Sequence, residues 1–227
     1  MPFIAQQTPI KAVLFDLDGT LVDTAPDLAS ALNAILISQN FPELPYLSIR
    51  PMVSYGADAL IKFAFGTDIT SQKHQEYKNQ LITSYQHNIA TQSRLFDGLI
   101  EAIEHLENEQ IKWGIVTNKP EYLTRPLLQA LNLHQRADCV VCGDQVTNPK
   151  PHPEAIYLAC QQINILPQQT IYLGDAERDI TAGKLAGTHT IACQYGYIPE
   201  TEDINTWGAD KIIDGSTQLS EWIQQLN

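Results

Sequence analysis

The chain has 227 residues, 44% of them hydrophobic and 18% charged, with 12 glycines and 13 prolines. That is the composition of a folded globular protein, and the length suits one large domain or a domain carrying an insert. A formal net charge of −12 repels nucleic acid and anionic membrane, so neither is an expected partner.

The chain start, MPFIAQQTPI, has no basic opening and no apolar run long enough for a secretory signal. No stretch approaches the roughly 18 consecutive apolar residues of a membrane span, and a cytoplasmic location is expected. The first apolar run, AVLF (12–15), reads as a buried strand. It leads directly into the acids of DLDGT (16–20).

From 23 to 92 the pattern is helical, with no convincing strand. Thr24 and Asp27 read as a capping box, with Pro26 in the first turn. Leu28, Leu32, Ile35 and Leu36 then mark one helical face. A second helix is expected over 49–65. A third should start near Ser71, with Tyr77, Leu81 and Tyr85 four apart.

Helices and strands then alternate. Leu99, Ile103 and Leu106 precede the strand WGIV (113–116), and Leu123, Leu127 and Leu131 precede CVVC (139–142). Pro153 opens a helix carrying Ile156, Cys160 and Ile163, followed by TIYL (170–173). One more helix, closed by Gly187, leads to HTIAC (189–193). The alternation predicts an α/β fold. The expected architecture is a three-layer, Rossmann-like parallel sheet core (1–21 and 95–227) with an inserted α-helical cap (22–94). Cys139 and Cys142, three apart on a strand, face opposite sides. With Cys160 and Cys193 they are expected to be buried free thiols in a reducing compartment.

Ligands of open α/β sheets bind beyond the carboxyl ends of the strands. The polar residues there are Asp16 and Asp18, Thr117 and Asn118, Lys150, and Asp175 with Asp179 one helical turn on. Carboxylates, a hydroxyl and an ammonium together suit phosphoryl transfer through an acyl phosphate. Asp16, nearest the rigid strand, is the expected nucleophile. Asp18, on the same side of an extended chain, is placed to protonate the leaving oxygen and then deprotonate water. Two anions beside a phosphate require a cation, and hard oxygen ligands specify Mg²⁺ with Asp175 as a further ligand. Asp179 is placed to orient a metal-bound water or Lys150. Gly19 lets the chain turn under the phosphate, while Thr117 and Lys150 supply a donor and a fixed charge. Asn118 joins the substrate-binding set. A calcium EF-hand is excluded, because counting from Asp16 puts Asp27 where the loop requires Glu. The six histidines show no ligand spacing.

The strings DLDGT, VTN, NPKPHP and GDAERD, in that order, resemble the four motifs of the haloacid dehalogenase superfamily, over nearly the whole chain. The resemblance implies an α-helical cap between two flap strands, Asp16 as nucleophile and Asp18 as acid and base. It also implies phosphate binding by Thr117 and Lys150, and Mg²⁺ held by Asp16, Asp175 and the Asp18 carbonyl. Within the superfamily the chain looks like bacterial phosphoglycolate phosphatases. SRLFDG, WGIVTNKP, YGYI and WGAD narrow the likeness to enzymes that hydrolyse N-acetylmuramic acid 6-phosphate in cell-wall recycling. The expected partner is a small phosphate ester. Cap contacts are expected from the Ser54-Tyr55-Gly56-Ala57 loop and from Arg50 toward a substrate carboxylate, with Tyr55, Tyr195 or Tyr197 against a sugar ring. Rival readings are a phospho-receiver module, which needs neither a cap nor Asp18, and a non-hydrolytic relative. A phosphonatase would need a cap lysine from among Lys62, Lys73 and Lys78; a sugar phosphomutase would differ in the cap.

Overall fold

The computed structural model describes residues 9–226. All but the last two residues of the chain start discussed above lie outside them. Strand β1 (Ala12–Phe15) is fully buried on both faces, as a central parallel strand must be. After a two-residue strand β2 (Val22–Asp23) come four helices. These are α1 (Ala25–Ser38), α2 (Tyr46–Ile49), α3 (Gly56–Phe65) and α4 (Ser71–His87). Strand β3 (Arg94–Leu95) pairs antiparallel with β2, so both ends of the helical insert pass through one narrow ribbon. The chain continues as α5 (Leu99–Asn108), β4 (Lys112–Val116), α6 (Glu121–Ala130), β5 (Cys139–Val141) and α7 (Glu154–Ile163). It ends as β6 (Thr170–Gly174), α8 (Glu177–Ala186), β7 (His189–Cys193), β8 (Lys211–Ile213) and α9 (Ser216–Ile223).

Six strands form one parallel sheet in the order β5-β4-β1-β6-β7-β8. Alternation along β1 divides the core into layers. Val13 and Phe15 pack with Leu99, Ile103 and Ile223 on one side; Leu14 packs with Ile156, Cys160 and Ala182 on the other. A separate cluster holds Leu32, Leu36, Ile61, Leu81 and Tyr85 of the insert, and reaches the sheet domain through Leu123, Tyr197 and the partly buried Phe96. All four cysteines are buried and free. Among the described residues no helix is long and apolar enough to cross a membrane.

Four local expectations need correction. The helix expected over 49–65 is broken into α2, a 3-10 turn over Arg50–Tyr55, and α3. Pro51 lacks an N–H for continued α-helix, and Gly56 takes φ 81°, which a helix interior does not allow. Thr24 and Asp27 do not form a capping box: the Thr24 hydroxyl donates to Asp18. Asp27 instead accepts from the Gln92 and Ser93 amides and the Ser93 hydroxyl, at 2.9, 2.9 and 2.6 Å. Strand β8 and helix α9 complete the sheet domain beyond HTIAC, and β8 is too short, with charged Lys211, to show period-two alternation. Finally, the 23–92 stretch does carry strand at its edge, since Asp23 lies in β2.

Asp27 is 2% exposed and pins the end of the insert to its beginning. Asp27→Ala should lower stability by about 2–4 kcal/mol, because it leaves buried donors without an acceptor. Urea unfolding checks this, with the midpoint falling and the slope unchanged.

Candidate active site

The sheet order reverses beside β1. The chain runs from β1 to β4 and β5 on one side, then crosses to β6 on the other, which opens a crevice at the strand ends. Asp16 follows β1 there, Thr117 follows β4 and Asp175 follows β6. The centre of the site is the Lys150 ammonium, whose side chain is 1% exposed. It donates to Asp16 Oδ1 at 2.7 Å, to the Tyr172 hydroxyl at 2.9 Å and to the Val116 carbonyl at 3.0 Å. It also lies 2.7 Å from Asp179 Oδ1. Burial works against this charge, but Asp16 and Asp179 outweigh it and hold the Lys150 pKa above its ordinary value. Asn118 fixes the lysine's backbone: its amide donates to the Lys150 carbonyl and accepts from the Lys150 N–H, both at 3.0 Å. The Asn118 side chain thus positions Lys150, and Asn118, expected to bind substrate, also lines the cavity described below. Thr117 is 2% exposed; its hydroxyl oxygen accepts from the Lys119 N–H, leaving its proton without an acceptor among the described residues.

Asp16, Asp175 and Asp179 each offer an oxygen within 4.8 Å of the others. Burial, partly offset by Lys150, raises the Asp16 pKa to about 6. Burial, with Asp16 and Asp179 adding to it, raises that of Asp175 to about 7. Three buried carboxylates with one ammonium among them are only partly compensated, and such oxygen donors fit a hard divalent cation such as Mg²⁺. Asp179 is the most fully engaged of the three: Oδ1 faces Lys150 and Oδ2 accepts from the Ala176 N–H at 3.1 Å. That suits the orienting role expected of it. Asp18 does not join the trio. Its carboxylate accepts from Lys119 Nζ at 2.9 Å and from the Thr24 hydroxyl at 2.5 Å, so any hold on a cation falls to its backbone carbonyl. Gly19 has φ +90°, and a Cβ there would lie 2.2 Å from Asp175 Oδ2. Its missing side chain therefore makes room for Asp175, as well as allowing the turn.

A cavity of about 530 Å³ lies between the helical insert and the strand ends. Asp16, Asp18, Thr117 and Lys150 form its floor, and Tyr55, Gly56, Leu81 and Tyr85 are among its lining from the insert. Arg50 is absent from the lining. Its guanidinium donates to the Tyr195 and Gly196 carbonyls at 2.9 and 2.7 Å and sits 4.8 Å over the Tyr197 ring, so the expected pairing with a substrate carboxylate is replaced by a clasp between insert and core. Tyr195 and Tyr197 are likewise committed. The Tyr195 hydroxyl donates to the Thr20 carbonyl, and the Tyr197 hydroxyl donates to Asp23 and accepts from the Thr24 and Ala25 amides. Neither lines the cavity; Tyr55 does, with its hydroxyl bonded to Glu202.

Comparison with known proteins now decides the family. Residues 13–193 match the family described as haloacid dehalogenase-like hydrolase. The chain belongs to that family. It is 39% identical over 214 residues to the N-acetylmuramic acid 6-phosphate phosphatase of Pseudomonas putida, covering 94% of this chain and 96% of that one. It is 37% identical over 211 residues to the phosphoglycolate phosphatase of Xanthomonas campestris, covering 93% and 95%. A solved structure of a "predicted phosphoglycolate phosphatase" from Haemophilus somnus superposes with a TM-score of 0.84 at 29% identity, covering 95% of this chain and 99% of that one. These relatives place the hydrolase among the phosphatases of its family.

Sequence reasoning missed several residues of this hydrolase's site. Lys119 bridges Asp18 and the Tyr85 ring, 4.6 Å from its centroid. Ser54 donates to Asp175 Oδ2 at 3.1 Å, and the Tyr197 N–H does so at 2.8 Å, tying the insert and the YGYI turn to one carboxylate. Arg178 also lines the cavity. Ser54 and Tyr197 were expected as substrate contacts and bond the carboxylate instead; Lys119 and Arg178 had no signal beyond adjacency to residues already singled out, which reads equally well as solvated charge.

The carboxylate shifts set a pH dependence. Asp16 and Asp175 have raised folded-state pKa values, so each adds stability below its unfolded value and loses it as pH rises through about 6 and about 7. The metal-free protein should melt lower at about pH 8 than at about pH 5. Mg²⁺ should raise the melting temperature more at the higher pH, where protons no longer compete; differential scanning calorimetry with chelator or Mg²⁺ checks both.

Proposed function

We propose that this phosphatase hydrolyses N-acetylmuramic acid 6-phosphate through an aspartyl phosphate formed on Asp16. The observation that carries the chemistry is the Asp16 carboxylate held 2.7 Å from a buried lysine at the floor of the cavity between insert and strand ends. Asp16 attacks phosphorus, and the P–O bond to the sugar breaks as the Asp16–phosphorus bond forms. Lys150 and the Thr117 hydroxyl donate to the phosphoryl oxygens as charge develops there. Asp18 gives a proton to the leaving oxygen and takes one from the water that then attacks the acyl phosphate. Lys119, paired to Asp18 at 2.9 Å, orients that carboxylate. Mg²⁺, held by Asp16, Asp175 and the Asp18 carbonyl, would neutralise charge on the phosphoryl oxygens. Residues 22–94 act as a cap that closes over the leaving group and excludes water. Free buried thiols support a cytoplasmic location.

Two observations support the sugar phosphate. The relative of that name is 39% identical along nearly the whole chain. The cavity of about 530 Å³, lined by apolar Val53, Leu60 and Leu81 and by Tyr85, is far larger than a two-carbon ester requires. The relatives named phosphoglycolate phosphatase favour 2-phosphoglycolate as the second reading. A phosphonatase finds less support, because Lys78 is the cap lysine on the cavity and its ammonium is paired with Asp58 at 2.6 Å.

Steady-state kinetics on both esters, at equal Mg²⁺ and pH, test the substrate. Sugar contacts at about 1–3 kcal/mol each should favour N-acetylmuramic acid 6-phosphate by on the order of 10²-fold in kcat/KM. Equal or better turnover of 2-phosphoglycolate would give the second reading the place of the first. Asp16→Asn should lose activity on both esters by on the order of 10⁴-fold or more, with its melting transition retained.

A further inference from the structure

The charged residues on the cavity wall are Asp16, Asp18, Asp58, Lys78, Lys119, Lys150 and Arg178. Three lysines answer three carboxylates there: Lys150 with Asp16, Lys119 with Asp18 and Lys78 with Asp58. Arg178 is left over. Among the described residues it makes no ion pair and donates no hydrogen bond, although it is only partly exposed. A guanidinium has five donors in a rigid fork, so its idleness in a half-buried position is chemically conspicuous.

Arg178 lies close enough to Asp16, Asp175 and Asp179 for its charge to act on them, yet its guanidinium forms no ion pair with any of the three. Arg178 stands on the first turn of α8, beside Asp179. Asp179 turns inward and is fully buried, whereas Arg178 reaches the cavity wall. It also borders a smaller hollow of about 210 Å³ formed with Tyr55, Tyr197 and Glu202. The phosphoryl group already has Lys150 and Thr117. Arg178 therefore sits at the rim between strand ends and cap, where the remainder of the ester must lie.

We propose that Arg178 is the specificity residue of this site, its fork pairing with a carboxylate carried by the leaving group of the phosphoester. The inference rests on the phosphatase reading above and takes it further. Both substrates considered there carry such a carboxylate, and a planar two-oxygen anion matches the guanidinium better than it matches an ammonium. Arg50, the arginine first expected to meet a substrate carboxylate, is spent on backbone carbonyls.

The test compares each carboxylate ester with a neutral twin: N-acetylmuramic acid 6-phosphate with N-acetylglucosamine 6-phosphate, and 2-phosphoglycolate with ethyl phosphate. Arg178→Gln should lower kcat/KM on the better carboxylate ester by about 10- to 100-fold, mainly through KM, and change its twin by less than about threefold. Arg178→Lys should recover part of the loss. Equal losses on ester and twin would mean that Arg178 serves the phosphoryl group, and would overturn the proposal, as would no loss on either. Calorimetric binding to Asp16→Asn and to Asp16→Asn/Arg178→Gln runs the same comparison without turnover. A carboxylate preference that vanishes with Arg178 supports the proposal even if the phosphatase chemistry fails, and a preference independent of Arg178 overturns it even if that chemistry holds.

Discussion

A single buried ammonium organises this active site. Lys150 has almost no access to water, and two carboxylates, a phenol and a backbone carbonyl converge on it. A lysine so placed is tolerable only because its partners outweigh the loss of hydration. The dependence runs both ways: burial pushes the Asp16 pKa up and Lys150 brings it partly back down. The parallel sheet makes the arrangement possible. It delivers Asp16, Thr117 and Asp175 from adjacent strand ends, and the loop after β5 brings Lys150 into the gap, held by the Asn118 amide.

The second organising feature joins the cap to the chemistry. Asp175 accepts from Ser54 of the cap and from the Tyr197 amide. Tyr197 in turn grips the ribbon through which the cap leaves the core. Arg50 holds the same turn from the cap side. Any movement of the insert must therefore disturb groups touching a carboxylate of the buried acidic cluster, which couples the position of the insert to the reacting centre.

Much of this was legible in the residue order. Buried strands ending in polar residues announce both the sheet and the site, because period, burial and chemistry coincide at Asp16, Thr117 and Asp175. Lys150 was legible by its place after the third strand of the core. The misassigned contacts share one physical cause, that long-range hydrogen bonds consume groups which look free in sequence. The Tyr197 hydroxyl meets Asp23 from 174 positions away, and Arg50 meets Gly196 from 146, so both read as substrate contacts until the fold assigns them elsewhere. The opposite error hid Lys119 and Arg178, whose charges look solvated until cap and core close around them. Strand β8 escaped because three residues with a lysine at the start carry too little alternation to register.

The account stands on Asp16 carrying the phosphoryl group while Lys150 holds it in place. The most direct measurement is rapid acid quench during turnover, followed by mass mapping of the protein, on wild type and Lys150→Met. The account predicts one phosphoryl group on the peptide containing Asp16 in the wild type, at the residue itself, and its loss in the variant. Phosphate released with no phosphorylated carboxylate, or a phosphoryl group found on Asp18 or Asp175, would contradict it.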